Sequence, residues 1–235
     1  MCLIALAHRA ASPFPLVVAA NRDEDYERAT HAAHRWPEAP DVVGGKDALH
    51  GGTWLAVRRG GRFAAVTNLR GATPRTRSRG FLVRDFVTSD VTVATYARKI
   101  AAEAEEYAGF HLIAGDAGGE LMYIAPDQQV PLAPGVHAFS NAPAGEEWPK
   151  VEVAVAQMQN ALAITPVDAL IDELMRFLAM PRGTDSPMSE VFIRGDRYGT
   201  RSSTVIVATE AQIVFAEQSY ARGGVVVGER REFTI

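Results

Sequence analysis

Apolar and polar residues alternate along much of this chain in short bursts, and most bursts have the length of a strand. Met1–His8 carries Leu3, Ile4 and Leu6 before the charged Arg9, and Leu16–Ala20 is a second apolar run. Between them Ser12-Pro13-Phe14-Pro15 has the chemistry of a turn. The two runs therefore predict a hairpin whose far end, Asn21-Arg22-Asp23-Glu24, returns beside the start of the chain. Thr53–Val57 and Arg62–Asn68 flank a turn at Arg58–Gly61, where Gly60 and Gly61 accept positive φ. Phe110–Ala114 and Leu121–Ile124 form another expected hairpin around Asp116–Gly119. Further strands are expected at Val136–Ser140, Thr204–Ala208, Ile213–Phe215 and Glu232–Ile235. Asp25–Leu49, Gly71–Gly80 and Pro181–Pro187 read as irregular.

Helical spacing occurs in four places. Phe81–Phe86 reads as a short helix and Thr92–Tyr107 as a longer one, with Val93, Tyr96, Ile100 and Ala104 on one stripe and Gly109 closing it. Val151, Val155, Met158 and Leu162 form a third stripe. In the fourth, Thr165 is the expected N-cap and Pro166 the first helical residue, ahead of Val167, Leu170, Ile171, Leu174, Phe177 and Leu178. Hairpins grouped around helices, without regular β-α alternation, favour an α+β fold over a doubly wound sheet. With no internal repeat, residues 1–235 read as a single domain.

Composition narrows the function classes. Hydrophobic residues make up 47% of the chain, enough for a sizeable core, and the net charge is −4. That balance leaves no basic footprint for nucleic acid. The apolar runs are too short for a membrane span, so no stable membrane insertion is expected. No basic segment followed by a long apolar one opens the chain, and one cysteine excludes an internal disulfide framework. A cytoplasmic protein is the expectation. Phosphate-cradling GxxxxGK[ST] and GxGxxG loops, HExxH and CxxC are all absent, so no cofactor and no metal is expected from motifs.

The lone cysteine sits at position 2, where removal of Met1 would make it the N-terminal residue. A free α-amine titrates near pH 7.7–8.0 and can act as base for a nucleophile on its own residue. Asn21, Asp23, Asn68, Asn141 and Arg201 are each placed at the edge of an apolar strand, although Asn and Asp are poor strand residues that also favour turns. His8, His31, His34 and His50 could ligate iron or haem, while solvation is the commoner fate of loop histidines. Arg70, Arg75, Arg77 and Arg79 could grip an anion, or form a solvated basic loop. Trp54 reads as core, or as the cover of a flat ligand.

The stretches MCLIALAHR…VVAANRDED, GGTWLAV…FAAVTNLRG, HAFSNAP and TRSSTVIVA, in that order, resemble the NRDE family, which includes the transport-and-Golgi-organisation proteins of animals. The likeness runs from Met1 to about Ala208. More remotely, the same motifs resemble cysteine N-terminal-nucleophile hydrolases of the penicillin V acylase and bile salt hydrolase type. That resemblance implies a four-layer αββα sandwich and cleavage of a small amide. Carried over by position, it makes Cys2 the nucleophile, Asp23 the acid that orients it, and Asn68 an oxyanion donor. Asn141 then binds the amine and Arg201 balances the charge. One departure stands out: those hydrolases usually carry an arginine three residues before the acid, and here that residue is Ala20, with Arg22 nearby. The other implied reading is a binding or trafficking protein for haem or acyl-CoA and other lipids. In it Asn21, Arg22, Asp23, Glu24, Trp54 and Arg70 would line the ligand site.

Overall fold

In a computed structural model that describes residues 2–143, 145–181, 186 and 188–235, the expected hairpins form and several extend further than hydropathy suggests. The opening hairpin is β1 (Leu3–Ala11) and β2 (Phe14–Asp25), joined by a two-residue turn at Ser12-Pro13. β3 (Thr30–Trp36), β4 (Ala39–Asp47), β5 (Leu55–Arg58) and β6 (Arg62–Asn68) follow. Helices α1 (Gly80–Val87) and α2 (Val93–Ala102) precede β7 (Phe110–Asp116), β8 (Leu121–Ala125), β9 (Gln128–Pro131) and β10 (Gly135–Phe139). After α3 (Pro149–Ala161) and α4 (Val167–Leu178), the chain ends in β11 (Tyr198–Ala208), β12 (Ile213–Ala221) and β13 (Val225–Thr234).

These elements belong to two compact units, one formed by Met1–Arg28 with Pro134–Thr234, the other by Ala29–Ala133 with Ile235. The first holds an antiparallel sheet in the order β10-β1-β2-β11-β12-β13. On one face of it α3 and α4 bury Met158, Leu170, Ile171 and Leu174 against Leu3, Ala5, Val17, Ala19, Val205 and Val207. Those sheet positions alternate along each strand, as one-sided packing requires. The second unit is an antiparallel meander, β3 through β9 in sequence order, with α1 and α2 packed on Ala56, Ala64, Leu112 and Ala114. Each unit is thus a helix layer on an antiparallel sheet, which is the α+β arrangement expected.

Several expectations need correction. Asp25–Leu49 is not irregular: it holds β3 and β4. Register shifts between His31 and His34 and between Arg35 and Trp36 break the period-two pattern, so hydropathy alone could not show these strands. Trp36, buried in the second core, donates its indole N–H to Gly44 O at 3.0 Å and ties the pair together. The long helix begins as expected, with Thr92 Oγ1 accepting the Thr95 N–H, but its regular turns stop at Ala102, and a 3₁₀ turn covers Ala104–Glu106. Pro166 is the N-cap of α4, not its first residue, because its ψ of −179° is extended. β11, β12 and β13 all run longer than expected, and β9 was not anticipated. The added stretches are mostly polar or exposed. The expected Pro181–Pro187 loop lies mostly outside the described residues.

Leu174 is 1% exposed on the inner stripe of α4. Leu174→Ala should lower the unfolding free energy by about 2–5 kcal/mol, read from chemical denaturation, since little around it can collapse into the space.

Candidate functional site

Register brings the candidate residues of the first unit together. Leu3 pairs with Asn21, so one step further Cys2 lies across from Arg22. On its other side Ile4 pairs with Phe139, the last residue of β10, two residues before Asn141. Arg22 in turn pairs with Ser202 of β11. Cys2, Arg22 and Ser202 therefore share one row across the sheet, and directly paired residues share a face.

The neighbouring row faces the helices. There the Asn21 carboxamide gives its two N–H groups to Leu178 O and Val191 O, both at 2.8 Å, and accepts the Ser203 hydroxyl at 2.6 Å. Both amide hydrogens are engaged inside the unit, and they fasten the last turn of α4 to the sheet. Asn21 lies within β2 and not at its edge.

Asp23 sits where a bulge interrupts the β2–β11 ladder between Thr200 and Ser202. Its carboxylate accepts the Thr200 hydroxyl at 2.6 Å, and Thr200 Oγ1 accepts the Ile193 N–H at 2.9 Å. The Asp23 main-chain carbonyl receives the Tyr198 hydroxyl at 3.1 Å and, more weakly, the Cys2 thiol at 3.7 Å. Asp23 is 5% exposed, and the arrangement holds it next to the sulfur.

Burial pushes the Cys2 thiol above its ordinary pKa. The Asp23 charge acts in the same direction, while the Arg22 guanidinium opposes it. Arg22 is itself buried, which lowers its pKa against the pull of Glu24, whose carboxylate lies 3.5 Å away and also 3.7 Å from Arg28. Burial likewise raises Tyr198, and the nearby Cys2 and Asp23 add to it.

Arg201 occupies the bulge, in the interior of β11 and not at a strand edge. Its Nη1 donates to the carbonyls of Asp25, Tyr26 and Arg28 at 2.9, 3.1 and 3.1 Å, so it clamps the turn that follows β2. Gly199, two residues before Arg201, has no room for a side chain: a Cβ there would collide with the Tyr26 hydroxyl.

The remaining candidates belong to the second unit. Asn68 ends β6, as expected, and is exposed, as is Arg70. Trp54 is half-buried with its indole over Gly45, where a Cβ would collide with the ring. The basic loop is largely spent internally: Arg75 bonds Glu105 O, Arg77 pairs with Glu103 and Glu106 at 2.9 and 2.6 Å, and Arg79 reaches Gly109 O. Among the described residues no cluster of three or more His, Cys, Asp or Glu side chains could hold a metal ion.

Sequence reasoning missed Thr200, Tyr198 and Lys150. Lys150 is the second residue of α3 and wholly buried, its ammonium 5.5 Å from the centroid of the Trp148 ring. Burial lowers its pKa, and the nearby Asp23 and Cys2 oppose that. A signal was present: of the 24 Lys and Arg residues only Lys46, Lys99 and Lys150 are lysines.

The family model described as Transport and Golgi organisation 2 matches residues 1–222. The chain belongs to that family. The Transport and Golgi organization protein 2 homolog of Bos taurus is 34% identical across 88% of this chain and 87% of its own length. The human homolog is 32% identical over the same shares. The family resemblance read from the sequence motifs agrees with this match. Among solved structures, penicillin V acylase from Agrobacterium tumefaciens superposes with a TM-score of 0.58 at 14% identity, covering 100% of this chain and 86% of that one. A Caenorhabditis elegans N-acylethanolamine-hydrolyzing acid amidase ortholog gives 0.52 at 15% identity, covering 88% and 92%. The fold is of the N-terminal-nucleophile hydrolase type, the αββα class expected. No helix among the described residues is long and apolar enough to cross a membrane.

Thr200→Val removes both the donor to Asp23 and the acceptor of the Ile193 N–H. Chemical denaturation should show a loss of about 1.5–3 kcal/mol, typical for a buried hydrogen bond to a charged group.

Proposed function

We propose that this family member is a cysteine amidohydrolase that cleaves a small, non-peptide amide at Cys2. The observation that carries the reading is the register, which sets the only cysteine of the chain across from Arg22, with its Sγ 3.7 Å from Asp23 O. A lone cysteine used only as packing has no need of a buried carboxylate and a buried guanidinium beside it. The solved structures of similar fold are named as enzymes that act on amides, and they lend the reaction class.

The thiol, raised by burial, is protonated at neutral pH and needs a base. Once Met1 is removed, the α-amine of Cys2 takes the thiol proton. Sulfur then adds to the amide carbonyl, and the carbonyl oxygen becomes an oxyanion. A positioned donor at such an oxyanion is worth about 3–4 kcal/mol of barrier. Collapse breaks the C–N bond, the departing amine takes the proton from the ammonium, and a thioester remains. Water adds to the thioester, releasing the acid and restoring the thiol. Asp23, held by Thr200, orients the start of the chain. Asn141, two residues beyond the end of β10, supplies a carboxamide to the amide being cleaved.

A second reading rests on Ala20. With alanine three residues before Asp23, the side chain that completes hydrolase sites of this type is missing, and a pocket for haem or acyl-CoA would not need it.

Intact-mass measurement of the purified chain should show Met1 removed; retained Met1 would leave the thiol without its α-amine base. Against a panel of N-acyl amides, Cys2→Ser should drop turnover by orders of magnitude to background. If the wild-type chain turns over none of them yet binds haem or a long-chain acyl-CoA saturably, with the same affinity in Cys2→Ser, the binding reading replaces the enzyme.

A further inference from the structure

The far end of β1 carries a bulge. Its ladder to β2 is regular from Leu3 to His8, then slips before Ala11, so that Arg9 and Ala10 together oppose Pro15. Arg9 takes a φ of +48°, and among the described residues it is the only one other than glycine with a positive φ. A bulge of this kind ordinarily puts glycine there, because a Cβ is strained in that conformation. Such bulges re-aim side chains, and strained residues gather where a ligand is held. Arg9 lines a surface cleft of about 580 Å³ with Val136 of β10 and with Gln159, Leu162 and Ala163 at the end of α3. Small-molecule sites commonly hold about 300–1,000 Å³. Arg9 is the only charged residue on the wall, which is otherwise apolar apart from Gln159. Among the described residues neither the Arg9 guanidinium nor the Gln159 carboxamide has a hydrogen-bond or ionic partner.

The geometry points to this cleft as a second ligand site, one that takes a small carboxylate with a short apolar body. Arg9 forks the carboxylate, Gln159 adds a hydrogen bond from its carboxamide, and Val136 and Leu162 receive the hydrocarbon. A merely solvated arginine needs no partner, but it needs no strained backbone either, and glycine makes the same bulge more cheaply. The choice of anion follows from charge. One guanidinium balances one carboxylate and meets both of its oxygens with parallel N–H bonds, whereas a phosphate near its second ionisation keeps charge uncompensated. No acidic side chain on the wall competes for Arg9. Seven residues of β1 separate Arg9 from Cys2, roughly 23 Å along an extended strand, so the cleft is distinct from the candidate site. It binds its ligand whether or not the thiol reacts.

Sodium octanoate is the probe, titrated into the isotope-labelled full chain and followed by amide NMR. Saturable shifts should centre on Arg9, Val136 and Gln159, with a Kd of about 1 mM or tighter. Uncharged 1-octanol and inorganic phosphate should each bind at least about tenfold more weakly, since each lacks one half of the recognition. Arg9→Gly suits the positive φ, so it should melt at or above the wild-type temperature while losing about tenfold or more in octanoate affinity. Ala163→Glu sets a carboxylate on the exposed rim of the cleft and should weaken octanoate to a similar degree. Undiminished affinity in either folded variant overturns the proposal. So do octanoate shifts confined to Cys2, Arg22 and Asp23, and so does phosphate or octanol binding as tightly as octanoate. A wild-type chain that shows no saturation at about 10 mM octanoate overturns it as well. Should Arg9→Gly fail to fold, Ala163→Glu carries the test alone.

Discussion

Everything at the candidate site depends on β1 being held between β2 and β10. The first residues of a chain are ordinarily the loosest, and a nucleophile there is useless unless the strand behind it is fixed. Here Leu3, Ile4, Ala5 and Leu6 are buried and laddered to β2, the last three to β10 as well, and one face of the strand packs under α3. The register of those two ladders fixes which face of the sheet Cys2 takes. A slip of one residue would turn Cys2 to the opposite face of the sheet and set it against a different residue of β2.

Around that strand the first unit gathers polar groups that a sheet interior normally avoids. Asn21, Asp23, Thr200, Ser203 and Lys150 are all buried, and most of their hydrogen bonds close on one another or on main chain. Such a network is costly if incomplete and stiff if complete. Asn21 shows the division of labour. The residue that opens the NRDE motif is a strut between α4, Val191 and β11, while the next two residues, Arg22 and Asp23, carry the charge near the thiol. Arg201 is another support, since three main-chain carbonyls of the turn after β2 take its guanidinium.

Where hydropathy and structure disagree, buried polarity or a bulge is the reason. β11 reads as starting at Thr204 because Tyr198–Ser203 looks hydrophilic, yet those residues are laddered to β2 and satisfy one another. β3 and β4 were hidden by register shifts that break alternation. Lys150 was invisible for a related reason: a lysine at the start of an amphipathic helix is expected in water, and nothing local says that its side chain turns inward.

The amino-acid sequence on its own determined the α+β class, the helices α1 and α4, the opening hairpin and the pairing of its far end with the start of the chain. These follow from short-range periodicity and turn chemistry, which act over a few residues. It also determined the candidates Cys2, Asp23 and Asn141, through ordered motifs. Only the tertiary structure decided that Asn21 and Arg201 brace the main chain, that Arg22 shares a row with the thiol, and that Lys150 is buried at the start of α3. Those facts depend on residues more than a hundred positions apart meeting across a sheet, and on the desolvation that follows, which no local pattern encodes.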